Sequence, residues 1–193
     1  LDTRVEDLAY LIQNLDKLSI GNQNLATLAD TQKIGLFGHS FGGLTTLQFL
    51  MDKDLPQVKC GIALDVPYFN MDSTANISLK APVLFMSSDF IKLSGSKVKL
   101  RGINDFLAAY TKGNLHEANV KGAAHYNFTD MNYLPKFMKL TPMLGSISQK
   151  EAVTILKFYT ENYFNSLLKD EGLNKLEEAI STEVEYRKIE ATK

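Results

Sequence analysis

The chain has 193 residues, of which 45% are apolar and 22% charged, with a formal net charge of −1. That length and apolar content suit one globular domain with a sizeable core. The near-neutral balance, with no long basic run, argues against a nucleic-acid partner; the single cysteine, Cys60, excludes an internal disulfide framework; and no apolar run approaches the roughly 20 residues of a membrane-spanning helix.

Val5, Leu8, Ile12, Leu15 and Leu18 recur at helical spacing and predict an amphipathic helix. Gly21 to Asp30 reads as a polar connector. Ile34-Gly35-Leu36-Phe37 is short, apolar and glycine-flanked, the signature of a buried strand, and residues 41–53 follow as a helix with Leu44, Leu47, Phe49 and Leu50 available for burial. Cys60–Leu64 predicts a second buried strand, ending at Asp65, and Pro82–Met86 a third, ending in Ser87-Ser88-Asp89. Residues 101–111 read as a helix, His116–Val120 as a fourth strand, and 128–139 and 149–169 as further helices. The charged stretch 170–193 reads as a peripheral helical tail. Continuous apolar strands alternating with helices predict an α/β fold, a mostly parallel sheet with helices on both faces.

Between the first strand and its helix stands Gly38-His39-Ser40-Phe41-Gly42, a G-x-S-x-G pattern. Such a strand–turn–helix elbow holds its serine in a strained backbone conformation and lifts the hydroxyl above the carboxyl end of the sheet, and the flanking glycines prevent collisions. The helix start directs backbone N–H groups, that of Phe41 among them, at a developing oxyanion. The plainer reading is a serine that caps the helix.

A serine nucleophile needs a base. His39 adjoins Ser40, but consecutive side chains in an elbow diverge, so it is expected to pack or hydrogen-bond locally. His116 starts the fourth strand and belongs to the wrong end of the sheet, as an exposed or structural histidine. His125 follows that strand in the small-residue loop Lys121-Gly122-Ala123-Ala124-His125, where an imidazole can lean toward Ser40. Asn127 and Asp130 lie just beyond, and either could cap the next helix and fix the loop. The acid has two candidates, Asp65 and Asp89, both at strand ends and both giving the order Ser, Asp, His.

The segments Gly38-His39-Ser40-Phe41-Gly42-Gly43, Lys59-Cys60-Gly61-Ile62-Ala63-Leu64-Asp65 and His125-Tyr126-Asn127-Phe128-Thr129-Asp130 together resemble the platelet-activating factor acetylhydrolase family, over residues 3 to 165. The resemblance implies an α/β-hydrolase fold and a serine esterase with Ser40 as nucleophile, Asp65 as acid and His125 as base. It implies short-acyl esters or phospholipids with a short or oxidised acyl chain as substrates, and no metal or organic cofactor. Members often carry an aromatic residue two positions after the acid. Here Pro67 stands there and Tyr68 follows. Phe41, Tyr68, Phe69, Phe90 and Tyr126 are candidates to line an acyl pocket.

In α/β-hydrolases several strands precede the nucleophile, whereas only 39 residues precede Ser40. The chain opens Leu1-Asp2-Thr3, without methionine. The expectation is therefore the C-terminal part of a longer hydrolase, partnered by a missing N-terminal segment of the same protein that supplies the second oxyanion donor. Two other readings stand beside it: a carboxylesterase or polyester hydrolase with Asp89 as acid, and a non-catalytic binding module on the same scaffold. Nothing in the composition fixes the compartment.

Overall fold

The computed structural model describes residues 1–66, 79–88, 115–134 and 144–189, together with the backbone of 91–93 and 96–98. Helix α1 (Asp2–Gln13) buries Val5, Ala9 and Ile12 on one stripe and ends in a short turn, Leu15–Lys17. The connector contains a small antiparallel hairpin of β1 (Ser19–Ile20) and β2 (Gln23–Asn24). There follow β3 (Ile34–His39), α2 (Phe41–Asp52), β4 (Val58–Leu64), β5 (Val83–Ser88), a second small hairpin of β6 (Ile91–Leu93) and β7 (Ser96–Val98), β8 (Leu115–Val120), α3 (Gln149–Leu168) and β9 (Val184–Ile189). The helix expected at 101–111 lies outside the described residues.

The central sheet has the order β3-β4-β5-β8-β9. Its first four strands are parallel, in the register Gly38↔Ala63, Leu64↔Met86 and Ser88↔Val120, and β9 runs antiparallel to β8. Alternate residues of the buried strands face opposite layers. Ala63, Val83 and Phe85 join α1 and α2 through Val5, Ala9, Leu44, Leu47 and Leu50. On the other face, Ile62, Leu64, Leu84 and Met86 meet Ile155, Tyr159 and Tyr163 of α3. Residues 152, 155, 159, 163 and 166 form that helix's buried stripe, and Ser148 caps its start, Oγ accepting from the Glu151 amide at 3.1 Å. Each fully buried Leu or Ile contributes about 1.5–3 kcal/mol, so these two layers hold the strand ends firmly.

Two local expectations need correction. The helical tail expected at 170–193 is absent over the described part, 170–189: a single turn at Asn174–Glu177 anchors Leu176 in the core, and 184–189 is the edge strand β9. Val184 and Tyr186 pack inward, while Arg187 pairs with Glu117, directly opposite on β8, and Lys121 reaches Glu185 at 3.0 Å. Cross-strand pairing thus accommodates charges that by themselves look like a solvated helix. The stretch read as a helix at 128–139 begins instead as two single turns, His125–Phe128 and Asp130–Tyr133, the second capped by the Thr129 hydroxyl rather than by Asp130. The remainder, 135–139, is outside the described residues.

Candidate active site

Ser40 leaves β3 with φ 56° and ψ −121°, a conformation L-residues rarely adopt. Strain of about 1–3 kcal/mol persists because both backbone groups are held. The Ser40 amide donates to the Leu64 carbonyl at 2.8 Å, and the Ser40 carbonyl accepts from Leu44 at 3.0 Å in the first turn of α2. The hydroxyl makes no cap bond to the helix, so the capping explanation of this serine fails and its oxygen is available elsewhere.

The glycines divide their roles differently from the sequence reading. A Cβ at Gly38 would lie 2.3 Å from the Gly42 backbone, and one at Gly43 2.9 Å from the Gly38 carbonyl oxygen and from Val66. A Cβ at Gly42 would meet nothing within 4 Å. Strand and helix therefore touch through Gly38 and Gly43, while Gly42 contributes only backbone.

Asp65 emerges from β4 with φ 43° and is buried. Its amide donates to the Met86 carbonyl at 2.7 Å. Its Oδ1 accepts from the Ser88 amide and from the Ser88 hydroxyl, each at 2.8 Å. Its Oδ2 lies 2.7 Å from His125 Nδ1, and His125 Nε2 lies 2.9 Å from Ser40 Oγ. A carboxylate can only accept, so Nδ1 carries the proton, and the lone pair of Nε2 then receives the Ser40 O–H. The structure thus brings Ser40, Asp65 and His125 into one continuous hydrogen-bond chain. Asp89 lies outside the described residues, as do Tyr68, Phe69 and Phe90.

The loop that carries His125 is fixed by Asn127. Its buried Oδ1 accepts from the Ala124 and Gly145 amides at 2.8 and 2.7 Å, and its Nδ2 donates to Asn132 Oδ1 at 2.9 Å. Of the two suggested loop-fixing residues it is therefore Asn127, not Asp130, that bonds across the loop. The Tyr126 ring meets the His125 ring edge-on at 5.3 Å. Phe41 heads α2, where first-turn amides have no intrahelical acceptor and the helix dipole is positive. Phe41 is 43% exposed, with the Arg4 guanidinium 5.1 Å above its ring.

His116 is buried and structural rather than exposed, its Nδ1 2.6 Å from the Tyr186 hydroxyl. Burial, with a smaller contribution from Lys188, lowers its pKa to about 4. Cys60 is fully buried, and burial raises its thiol pKa to about 12. Among the described residues no three His, Cys, Asp or Glu side chains gather as ligands for a metal ion, and no helix is long and apolar enough to cross a membrane.

Two contacts escaped the sequence reading. Ser88 holds the Asp65 carboxylate, and nothing distinguishes it in the sequence from any serine on a buried strand. His39 Nε2 lies 2.9 Å from the His125 main-chain oxygen, and the two rings stand 4.4 Å apart. Its adjacency to the elbow serine was the only signal available.

A mostly parallel sheet carrying a strained serine between a strand and a helix defines the α/β-hydrolase class. In agreement, the chain superposes on a ferulic acid esterase from Streptomyces cinnamoneus with a TM-score of 0.72 and 20% identity, covering 97% of this chain and 54% of that one. The family "Platelet-activating factor acetylhydrolase, isoform II" matches residues 9–185, and the chain belongs to it. It is 30% identical over 138 residues to the platelet-activating factor acetylhydrolase of Gallus gallus, which covers 68% of this chain. It is 29% identical over 122 residues to that of Cavia porcellus, covering 63%. The chain spans 30% and 26% of those relatives' lengths.

Proposed function

We propose that this chain carries the nucleophile, base and acid of a serine carboxylic-ester hydrolase. The observation that carries the reading is the chain of 2.7 and 2.9 Å contacts from Asp65 through His125 to a serine hydroxyl in a strained elbow. Ser40 Oγ attacks the ester carbonyl carbon as its proton passes to His125 Nε2. Buried Asp65 stabilises the resulting imidazolium and keeps the ring oriented. The Phe41 N–H donates to the oxyanion. Collapse of the tetrahedral intermediate breaks the bond to the alcohol oxygen, which takes the proton from His125 and leaves Ser40 acylated. Water, deprotonated by His125, attacks the acyl carbon, and the carboxylic acid departs as Ser40 recovers its proton.

Family membership supports short-acyl esters as substrates, with phospholipids of the platelet-activating-factor type as the specific proposal. Phe41 and Tyr126, both beside the reacting groups, are proposed to contact the acyl chain. The test uses the protein at its full natural length, since the chain spans under a third of the relatives named above. Hydrolysis is compared for nitrophenyl acetate and octanoate, and for phosphatidylcholines bearing acetyl or palmitoyl at the second position. The reading expects acetyl to be preferred in both pairs. Asp65→Asn is expected to lower kcat by about 10⁴ and Asp89→Asn only mildly. The reverse order would assign the acid to Asp89 and favour a general carboxylesterase or polyester hydrolase.

A further inference from the structure

The base arrives from far away. His125 follows β8, whereas Ser40 follows β3, and β4 and β5 lie between them. At ~4.8 Å per strand the loop must lean roughly 14 Å across the sheet edge. A loop reaching that far must be tied at its outer end, because a displacement of about 1 Å at the reacting groups can cost on the order of 10² in rate. Asn127 binds the Ala124 amide to the Gly145 segment, away from β3, and the His125–Asp65 bond, made through the imidazole itself, orients the ring. A further tie runs from β3 to the main chain of the loop. His39 Nε2 lies 2.9 Å from the His125 carbonyl oxygen, and since a carbonyl has no proton to give, Nε2 is the donor. His39 immediately precedes Ser40 on the last position of β3. The two rings, 4.4 Å apart and tilted by 39°, brace each other.

We propose that His39 is a positioning residue: its Nε2–H ties the base-bearing loop to the strand that bears the nucleophile and so sets the Nε2–Oγ separation of the reacting pair. The proposal rests on Ser40 and His125 acting as nucleophile and base. The His39 ring is also suited to staying neutral beside an imidazole that becomes charged during the reaction. Burial, and then the neighbouring His125, hold its pKa below the ordinary value, against the opposing effects of the bond to the His125 carbonyl and of the Asp65 charge.

Three variants of the full-length protein separate this role from simple packing. His39→Gln retains an amide donor near the position of Nε2; His39→Asn stops one methylene short; His39→Phe keeps a ring and removes the donor. Nitrophenyl acetate turnover is measured per active site, with sites counted by fluorophosphonate titration so that misfolded protein does not enter. The expected result is kcat for His39→Gln within about 3-fold of wild type, and about 10- to 100-fold losses in kcat for His39→Asn and His39→Phe, with KM little changed. Wild-type kcat in all three, or equal losses in all three, would overturn the proposal. Absence of a fluorophosphonate adduct on Ser40 in the wild-type protein would instead overturn the nucleophile assignment, so the two failures are distinguishable.

Discussion

Ser88 gives Asp65 two hydrogen bonds to the same oxygen, one from its amide and one from its hydroxyl, each 2.8 Å long. The end of β5 thus cradles the carboxylate that β4 delivers, and leaves Oδ2 for His125. Because Asp65 is buried, these donors replace the hydrogen bonds that water would give its carboxylate.

Ser88→Ala therefore removes one of the two donors while sparing the main-chain bond. The expected cost is about 1–3 kcal/mol of stability, read by urea unfolding, together with a fall in kcat larger than any change in KM. An unchanged kcat would show that the amide alone orients the Asp65 carboxylate.

The elbow predicts opposite responses from its glycines. Gly38→Ala sets a methyl group against the Gly42 backbone and should lower the thermal midpoint steeply or prevent folding. Gly42→Ala points into open space at a helical position, where alanine is favoured by about 1 kcal/mol over glycine. It should fold with an unchanged or raised midpoint. A collapse of Gly42→Ala in a thermal melt would contradict the packing described for the elbow.

His116 makes stability depend on pH in one direction. Above the unfolded value of 6.5 the ring is neutral in both states and contributes nothing to the slope. Between 6.5 and about 4 the unfolded chain binds a proton that the folded chain refuses, so stability falls as pH falls. The loss is on the order of 3 kcal/mol as an upper bound. Urea unfolding from pH 7 to pH 4.5 should show this slope in the wild type and a shallower one in His116→Gln. Equal slopes would mean that the buried ring accepts a proton without cost.

Much of this architecture is legible in the sequence because buried parallel strands are written as unbroken apolar runs. Cys60–Leu64 and Pro82–Met86 stand out for that reason, and Ser40 stands out because glycines surround it between a strand and a helix. The strand at 184–189 was hidden because its charges find partners, Glu117 for Arg187 and Lys121 for Glu185, that lie far away in sequence. The start of the stretch 128–139 reads as helix, whereas the turns there are held by bonds from the side chains of Asn127, Thr129 and Asn132 that helical periodicity does not encode. That a side chain is excluded at Gly43 but not at Gly42 depends on how α2 packs on β3, which no spacing rule encodes.

The most direct test of the central claim is a covalent one. The full-length protein is treated with a fluorophosphonate at neutral pH, digested, and the adduct mapped by mass spectrometry. A reactive Ser40–His125–Asp65 chain predicts one adduct, on Ser40, abolished in Ser40→Ala and strongly slowed in His125→Ala. Ester hydrolysis that survives Ser40→Ala, or a folded protein in which Ser40 remains unlabelled, would contradict it and leave the scaffold as a binding module.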